Sequence, residues 1–297
     1  MANTIWFVSH RYLPPRASDF VRNLCLWNCK GLHHRKLIES VDATVVDAGG
    51  RVLAGQRINF IGEWECCTTF VDNGRRGLFG RTHTPISTTF DPVVPCTNTD
   101  PYVFGHEFYW SCCKHPGDMK KVWPGDLVLF GSYTLKDRKV DKMVLDTVLV
   151  VDEVSPLTND CMDRFTKCYN DVTLSKLTLD TKAYMVVGKM YDTDNEPFSF
   201  VPCRRDGLMD KLVLDVPVFE GKRLGFQQNG GHLVVDDAAA AFRQLVAMVR
   251  EAGCELGVYM PEPNYNYADA LVNKHGKRLT PQQKFPTCSG KKKKPTC

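Results

Sequence analysis

The chain has 297 residues, 43% of them hydrophobic and 24% charged, with a formal net charge of +4, which is the make-up of a globular protein able to bury a large core. No apolar run reaches membrane-spanning length, and Met1 to His10 lack the basic-then-apolar layout of a secretory signal, so a cytoplasmic protein with no membrane partner is expected. The lysine run from Lys291 to Lys294 leaves the rest of the chain near neutral, which removes any global electrostatic case for tight binding to duplex DNA.

Thr4 to Ser9 reads as a first strand, and His10 to Arg16 leaves it as a stiff, proline-containing loop. Ser18 or Asp19 can cap a short helix carrying Phe20, Val21, Leu24 and Trp27 at helical spacing. Val41 to Asp47 and Arg57 to Ile61 are strands on either side of a Gly49-Gly50 turn, and the second runs into Gly62-Glu63-Trp64-Glu65. Asp72 to Asn98 is rich in turn residues and reads as a long surface excursion, of the kind that is usually functional or mobile. Val103 to Trp110 is an aromatic strand.

Lys121 to Val154 is the most legible block. Trp123-Pro124-Gly125-Asp126 is a turn, since proline presets φ and glycine tolerates positive φ. Leu127 to Phe130 is a short buried strand that Gly131 and Ser132 bring to an end. Tyr133 to Lys142 is a polar connection, and Met143 to Val151 is the second buried strand. Ala183 to Lys189, Phe198 to Val201 and Lys211 to Val216 are further strands. The clearest helix is Asp237 to Glu251, capped by Asp236 or Asp237, buried along Phe242, Leu245, Val246 and Val249, and stopped by Gly253. Glu255 to Met260 closes the fold as a strand. Strands outnumber helices and are not regularly interleaved with them, so the class is α+β. A single compact domain over residues 1–273 is expected, followed by a basic, disordered tail over 274–297.

The thirteen cysteines are expected to stay reduced. Cys25, Cys29 and His33 recur every four residues, Cys112, Cys113 and His115 form a second cluster with His106 upstream, and Cys66-Cys67 makes a third. No set has the paired short hooks of structural zinc, so no metal and no cofactor is expected. A Cys-His nucleophile pair would need partners from separate segments, such as Cys113 with His10 or His106.

Glu63 and Glu65 flank Trp64 at a strand end, and alternation puts the two carboxylates on one face. Such a pair can act as acid and base, bind a divalent ion, or accept hydrogen bonds from a base's amino group. The competing reading is a solvated strand end with Trp64 in the core. Asn98 and Asp100 close a polar turn or read a ligand, and they feed the aromatic run of Tyr102, Phe104, Phe108, Tyr109 and Trp110. Aromatic faces stack bases at ~1–3 kcal/mol each, although most strand aromatics serve the core. Glu63, Trp64, Glu65, Asn98, Asp100, Tyr102, His106 and Trp110 are therefore the candidate ligand-binding residues, with the first five expected around one concave site.

The turn–strand–loop–strand block resembles the small β-barrels of the PUA, ASCH and EVE kind, and implies a PUA-like mixed β-barrel core around residues 103–154 with peripheral helices. The runs INFIGEWE, NTDPYVFGHEFYWSCCK, WPGDLVLFGS, LDTVLVV, PFSFVPC and ELGVYMPEP together resemble the nucleotide-modification-associated domains, from about Ile58 to Pro261. That resemblance implies recognition or processing of a modified nucleotide, or of a single-stranded or extruded nucleic-acid base, in DNA modification or phage conflict. It assigns no catalytic residue. Two other classes stay open: a hydrolase or transferase using Glu63 and Glu65 or a Cys-His pair on a small nucleotide-like substrate, and a non-catalytic interaction module.

Overall fold

The computed structural model describes residues 3–9, 36–62, 68–77, 80–87, 94–95, 107–111, 121–158, 164, 184–194, 196–207, 209–226, 231–261 and 265–268. Over these residues the fold is mostly β-sheet with one helix. The strands are β1 (Asn3–Ser9), β2 (Lys36–Val46), β3 (Val52–Gly62), β4 (Thr68–Gly77), β5 (Gly80–Ser87), β6 (Val94–Pro95), β7 (Tyr109–Ser111), β8 (Leu127–Lys136) and β9 (Lys139–Pro156). After them come β10 (Tyr184–Gly188), β11 (Val201–Arg204), β12 (Leu212–Asp215), β13 (Val218–Phe219), β14 (Lys222–Arg223), β15 (Gly231–Val235), helix α1 (Ala238–Glu251), β16 (Glu255–Tyr259) and β17 (Tyr265–Ala268).

A seven-stranded sheet in the order β15-β1-β8-β9-β10-β7 carries the long β8–β9 hairpin at its centre, with β12 paired to β9 off that path. β1 runs parallel to β8, Ile5 opposite Leu127, so side chains of like parity share a face. Ile5, Phe7, Leu127 and Leu129 point to one face and pack with Phe242, Leu245 and Val249 of α1. Trp6, Val8, Val128 and Phe130 point to the other, together with Phe108, Tyr109 and Trp110. Both faces are buried, which is why Leu127 to Phe130 reads as an unbroken apolar run rather than an alternating one.

β2, β3, β11 and β16 close into a small four-stranded barrel. An isolated bridge from Val148 of β9 to Phe200 joins the sheet to the segment that enters it. The closed ring is thus built from the β2–β3 hairpin and two strands from late in the chain. In the block expected to form a barrel, around 103–154, the described strands instead belong to the open sheet, β8 and β9 in its middle and β7 at its edge.

Gly131 and Ser132 do not end β8. The register shifts between Phe130 and Gly131, and the strand continues to Lys136. A Cβ at Gly131 would lie 1.9 Å from the Val144 carbonyl oxygen, so glycine is there for close backbone approach inside the ladder. The polar stretch Tyr133 to Lys142 is accordingly a continuation of the ribbon around a two-residue turn, Asp137-Arg138. Asp72 to Asn98 is also more regular than expected: β4, β5 and β6 pair as a meander, and β17 adds to β4 in parallel. α1 matches its predicted span, with Asp237 as N-cap accepting from the Ala240 N–H at 2.8 Å. The helix expected after Ser18 and the tail from residue 274 lie outside the described residues.

Candidate functional site

The site is built on the Trp123-Pro124-Gly125-Asp126 turn at the start of β8. Asp126 is 2% exposed, yet it is a carboxylate, so it needs donors. It has three: the Thr4 N–H at 2.8 Å on one oxygen, and on the other the Trp6 indole N–H at 2.9 Å and the Trp123 N–H at 3.0 Å. The first two come from β1, some 120 residues away in sequence. Gly125 adopts φ +91°, and a Cβ there would lie 2.7 Å from the Asn3 side-chain nitrogen. The Gly125 N–H donates to the Val151 carbonyl at 2.8 Å, and the Val151 N–H donates back to Asp126 at 2.9 Å. The turn is therefore pinned from both sides, by β1 and by β9.

This pinning fixes what the turn displays. Val122 is buried, and the next side chain, Trp123, is 68% exposed, more so than any other large hydrophobic residue described. Trp6, 8% exposed, binds the same carboxylate oxygen through its indole nitrogen, and the exposed His232 of β15 lies with its ring 5.4 Å from the Trp6 ring, tilted by 36°. One buried acid thus holds the backbone of an outward indole and the ring nitrogen of a buried one, against which an imidazole lies. A large rigid aromatic held clear of the core by a fixed backbone offers a π-face for stacking. Asp126 itself has its acceptor capacity directed inward and positions the aromatics.

Of the residues singled out in the sequence, Trp110 falls in β7, opposite Val186. It is 2% exposed and meets Phe130 edge-on at 5.1 Å, so its ring serves the core and offers no surface to a ligand. Glu63, Trp64, Glu65, Asn98, Asp100, Tyr102 and His106 lie outside the described residues. So do the Cys25–His33 and Cys112–His115 clusters. Trp123 was visible in the sequence as part of a turn. No local pattern marks it as outward-facing, since the following proline restricts its backbone and not the direction of its side chain.

Two cysteines are described, Cys203 and Cys254, both buried and free. Burial pushes the Cys203 thiol far above its ordinary range, with the Glu255 charge adding to the effect. Burial also raises Cys254, against the lowering influence of Arg204. Neither is primed as a nucleophile. Among the described residues no group of three His, Cys, Asp or Glu side chains gathers to hold a metal. No helix there is long and apolar enough to cross a membrane. No protein-family model matches the chain, and neither a curated protein nor a solved structure matches it.

Proposed function

We propose that this protein recognises a nucleobase, in a modified nucleotide or in a single-stranded or extruded stretch of nucleic acid, by stacking it on Trp123. The observation that carries this reading is the indole of Trp123, 68% exposed on a turn whose backbone is locked by a buried carboxylate. A solvated, preorganised indole gains about 1–3 kcal/mol by stacking a base, with little ordering cost in the protein. The resemblance of the chain to nucleotide-modification-associated domains supports a modified base as the ligand. In the same reading the small closed ring beside the open sheet is a PUA-like arrangement, and the protein works in the cytoplasm, beside DNA modification or phage conflict.

The test is binding of modified and unmodified nucleosides, nucleotides and single-stranded oligonucleotides, followed by thermal shift and by indole fluorescence. Trp123→Ala is expected to leave the melting temperature of the free protein unchanged, since the side chain packs against little. It is expected to weaken binding by roughly 5- to 150-fold, the range that 1–3 kcal/mol spans. Undiminished binding by Trp123→Ala, or no binding of any of these ligands to the wild type, would overturn the reading.

A further inference from the structure

At the far end of β8 from Trp123, the β8–β9 ribbon projects a basic tip. Lys136, Arg138 and Lys139 are exposed there. Beside them stands the β13–β14 hairpin with exposed Lys222 and Arg223, and an Arg223 Nη2–H donates to the Val140 carbonyl at 2.8 Å, which fastens the two hairpins together. Lys142 is taken up by Asp215, whereas Lys136, Arg138, Lys139 and Lys222 make no ion pair among the described residues. The acids nearby are Asp137, Asp141 and Glu220, and Glu220 is turned away to accept from the Asp236 and Asp237 N–H groups at the start of α1. Five cations thus face three acids in one corner of a chain that is close to neutral once Lys291 to Lys294 are set aside.

The turn itself bears on function. Lys136 pairs with Lys139, so the loop has only two residues, and Asp137 and Arg138 both have positive φ, 51° and 62°. That is the type I′ pattern, which glycine and asparagine fill most easily. An arginine in the second position is held there against its backbone preference, and its side chain leads the ribbon into solvent.

We propose that this tip, together with the β13–β14 hairpin, contacts the phosphates of the nucleic-acid strand whose base stacks on Trp123. The proposal rests on the base-recognition reading and names the polymeric form of its ligand. Phosphate contact needs mobile cations at a fixed spacing from the base site, and the ten-residue β8 sets that spacing at about 30 Å. A stacked strand advances about 3.4 Å per nucleotide, so the tip comes into reach at roughly nine nucleotides from the stacked base. A bilayer is a poorer fit, because the apex is Asp137-Arg138, and the exposed apolar residue, Leu135 at 61%, lies back along the strand.

The experiment is fluorescence anisotropy of labelled single strands of five and fifteen nucleotides, titrated at 50 to 200 mM salt. The proteins compared are the wild type, Lys136→Gln/Arg138→Gln/Lys139→Gln, Arg138→Gly and Trp123→Ala. Loss of three phosphate contacts is expected to reduce the salt slope by about 2 on the longer strand, or roughly fifteen-fold in affinity across that range. The five-nucleotide strand and free nucleotides should be bound as before. Arg138→Gly is expected to raise the melting temperature, since glycine suits the turn, while lowering the slope by about 0.7. Trp123→Ala should weaken binding at every salt concentration with the slope intact. An unchanged slope in the triple variant overturns the tip proposal and leaves base recognition standing. A slope lost in the triple variant with full binding by Trp123→Ala supports the tip and overturns the base reading. Failure of the wild type to bind either strand at 50 mM salt, or tip-dependent binding only to vesicles of phosphatidylserine and phosphatidylcholine, overturns the tip proposal.

Discussion

A single carboxylate shows how much this fold asks of individual residues. Asp126 sits at the junction of β1, β8 and the turn, and removing it would leave the Thr4 N–H, the Trp6 indole N–H and the Trp123 N–H facing each other without an acceptor. An unsatisfied buried donor costs ~1–3 kcal/mol, so Asp126→Ala is expected to lose about 3 kcal/mol or more, read as a fall in the urea midpoint. Asp126→Asn keeps one acceptor oxygen and should lose less. Near-equal midpoints for wild type and the alanine variant would show that the turn holds without its acid. The Pro-Gly-Asp motif was legible in the sequence as a turn, but its three donors were not, because two of them come from β1. Local chemistry is written locally; its long-range partners are set by the parallel β1–β8 pairing. The same limit explains Gly131, which looks like a strand end from one side of the ladder and is a close-approach site once Val144 is opposite it.

Elements were read well where one face or two are uniformly buried. α1 has a clean periodicity, and Phe242, Leu245, Val246 and Val249 all enter the core as their spacing predicts. Leu245→Ala is therefore expected to cost about 2–5 kcal/mol, while the exposed Arg243→Ala should stay within ~0.5 kcal/mol. Similar losses from the two substitutions would mean that the helix does not seal the Ile5–Phe7–Leu129 face. The strands that went unread are those with polar outward faces. Tyr133 to Lys142 carries six charged residues in ten, enough to pass for a loop, yet it forms the outer half of the ribbon. β4 and β5 went unread because Gly, Arg, Asp and Asn, which usually mark turns, occur in the sequence of those strands. The closed ring escaped for a different reason. It joins β2 and β3 to β11 and β16, about 140 or more residues further along, and no local pattern records such a closure.

At the scale of the whole molecule, stability should depend on pH through two carboxylates paired with arginines close by in the chain, Asp47 with Arg51 and Glu153 with Arg164. Asp47 lies in the turn between β2 and β3 and is lowered from the ordinary carboxylate value, first by the Arg51 N–H, then by the Arg51 guanidinium and the Gly49 N–H, against the raising effect of burial. The Asp47 carbonyl also accepts from Arg250 of α1 at 3.3 Å, so this turn docks the barrel onto the helix. On β9, Glu153 is lowered chiefly by its paired hydrogen bonds to Arg164, at 2.9 and 2.6 Å. A carboxylate with a depressed folded pKa contributes stability that is fully present above its unfolded pKa, near 4, and is lost as pH falls through the folded value. Stability should therefore hold from neutral pH down to about 5 and decline below it. Asp47→Asn is expected to be less stable than the wild type at pH 7 and to show a shallower decline toward pH 2, so that the two curves converge in acid. Glu153→Gln should behave likewise, and because the two sites share no partner, their losses should add. The check is the urea midpoint measured at half-unit steps from pH 7 to pH 2. Parallel curves for Asp47→Asn and the wild type would mean that the Asp47 carboxylate does not hold the turn, and that the Asp47 backbone carbonyl, with the Arg204 contact to the Ala252 carbonyl and the shared core, keeps the barrel on α1 without it.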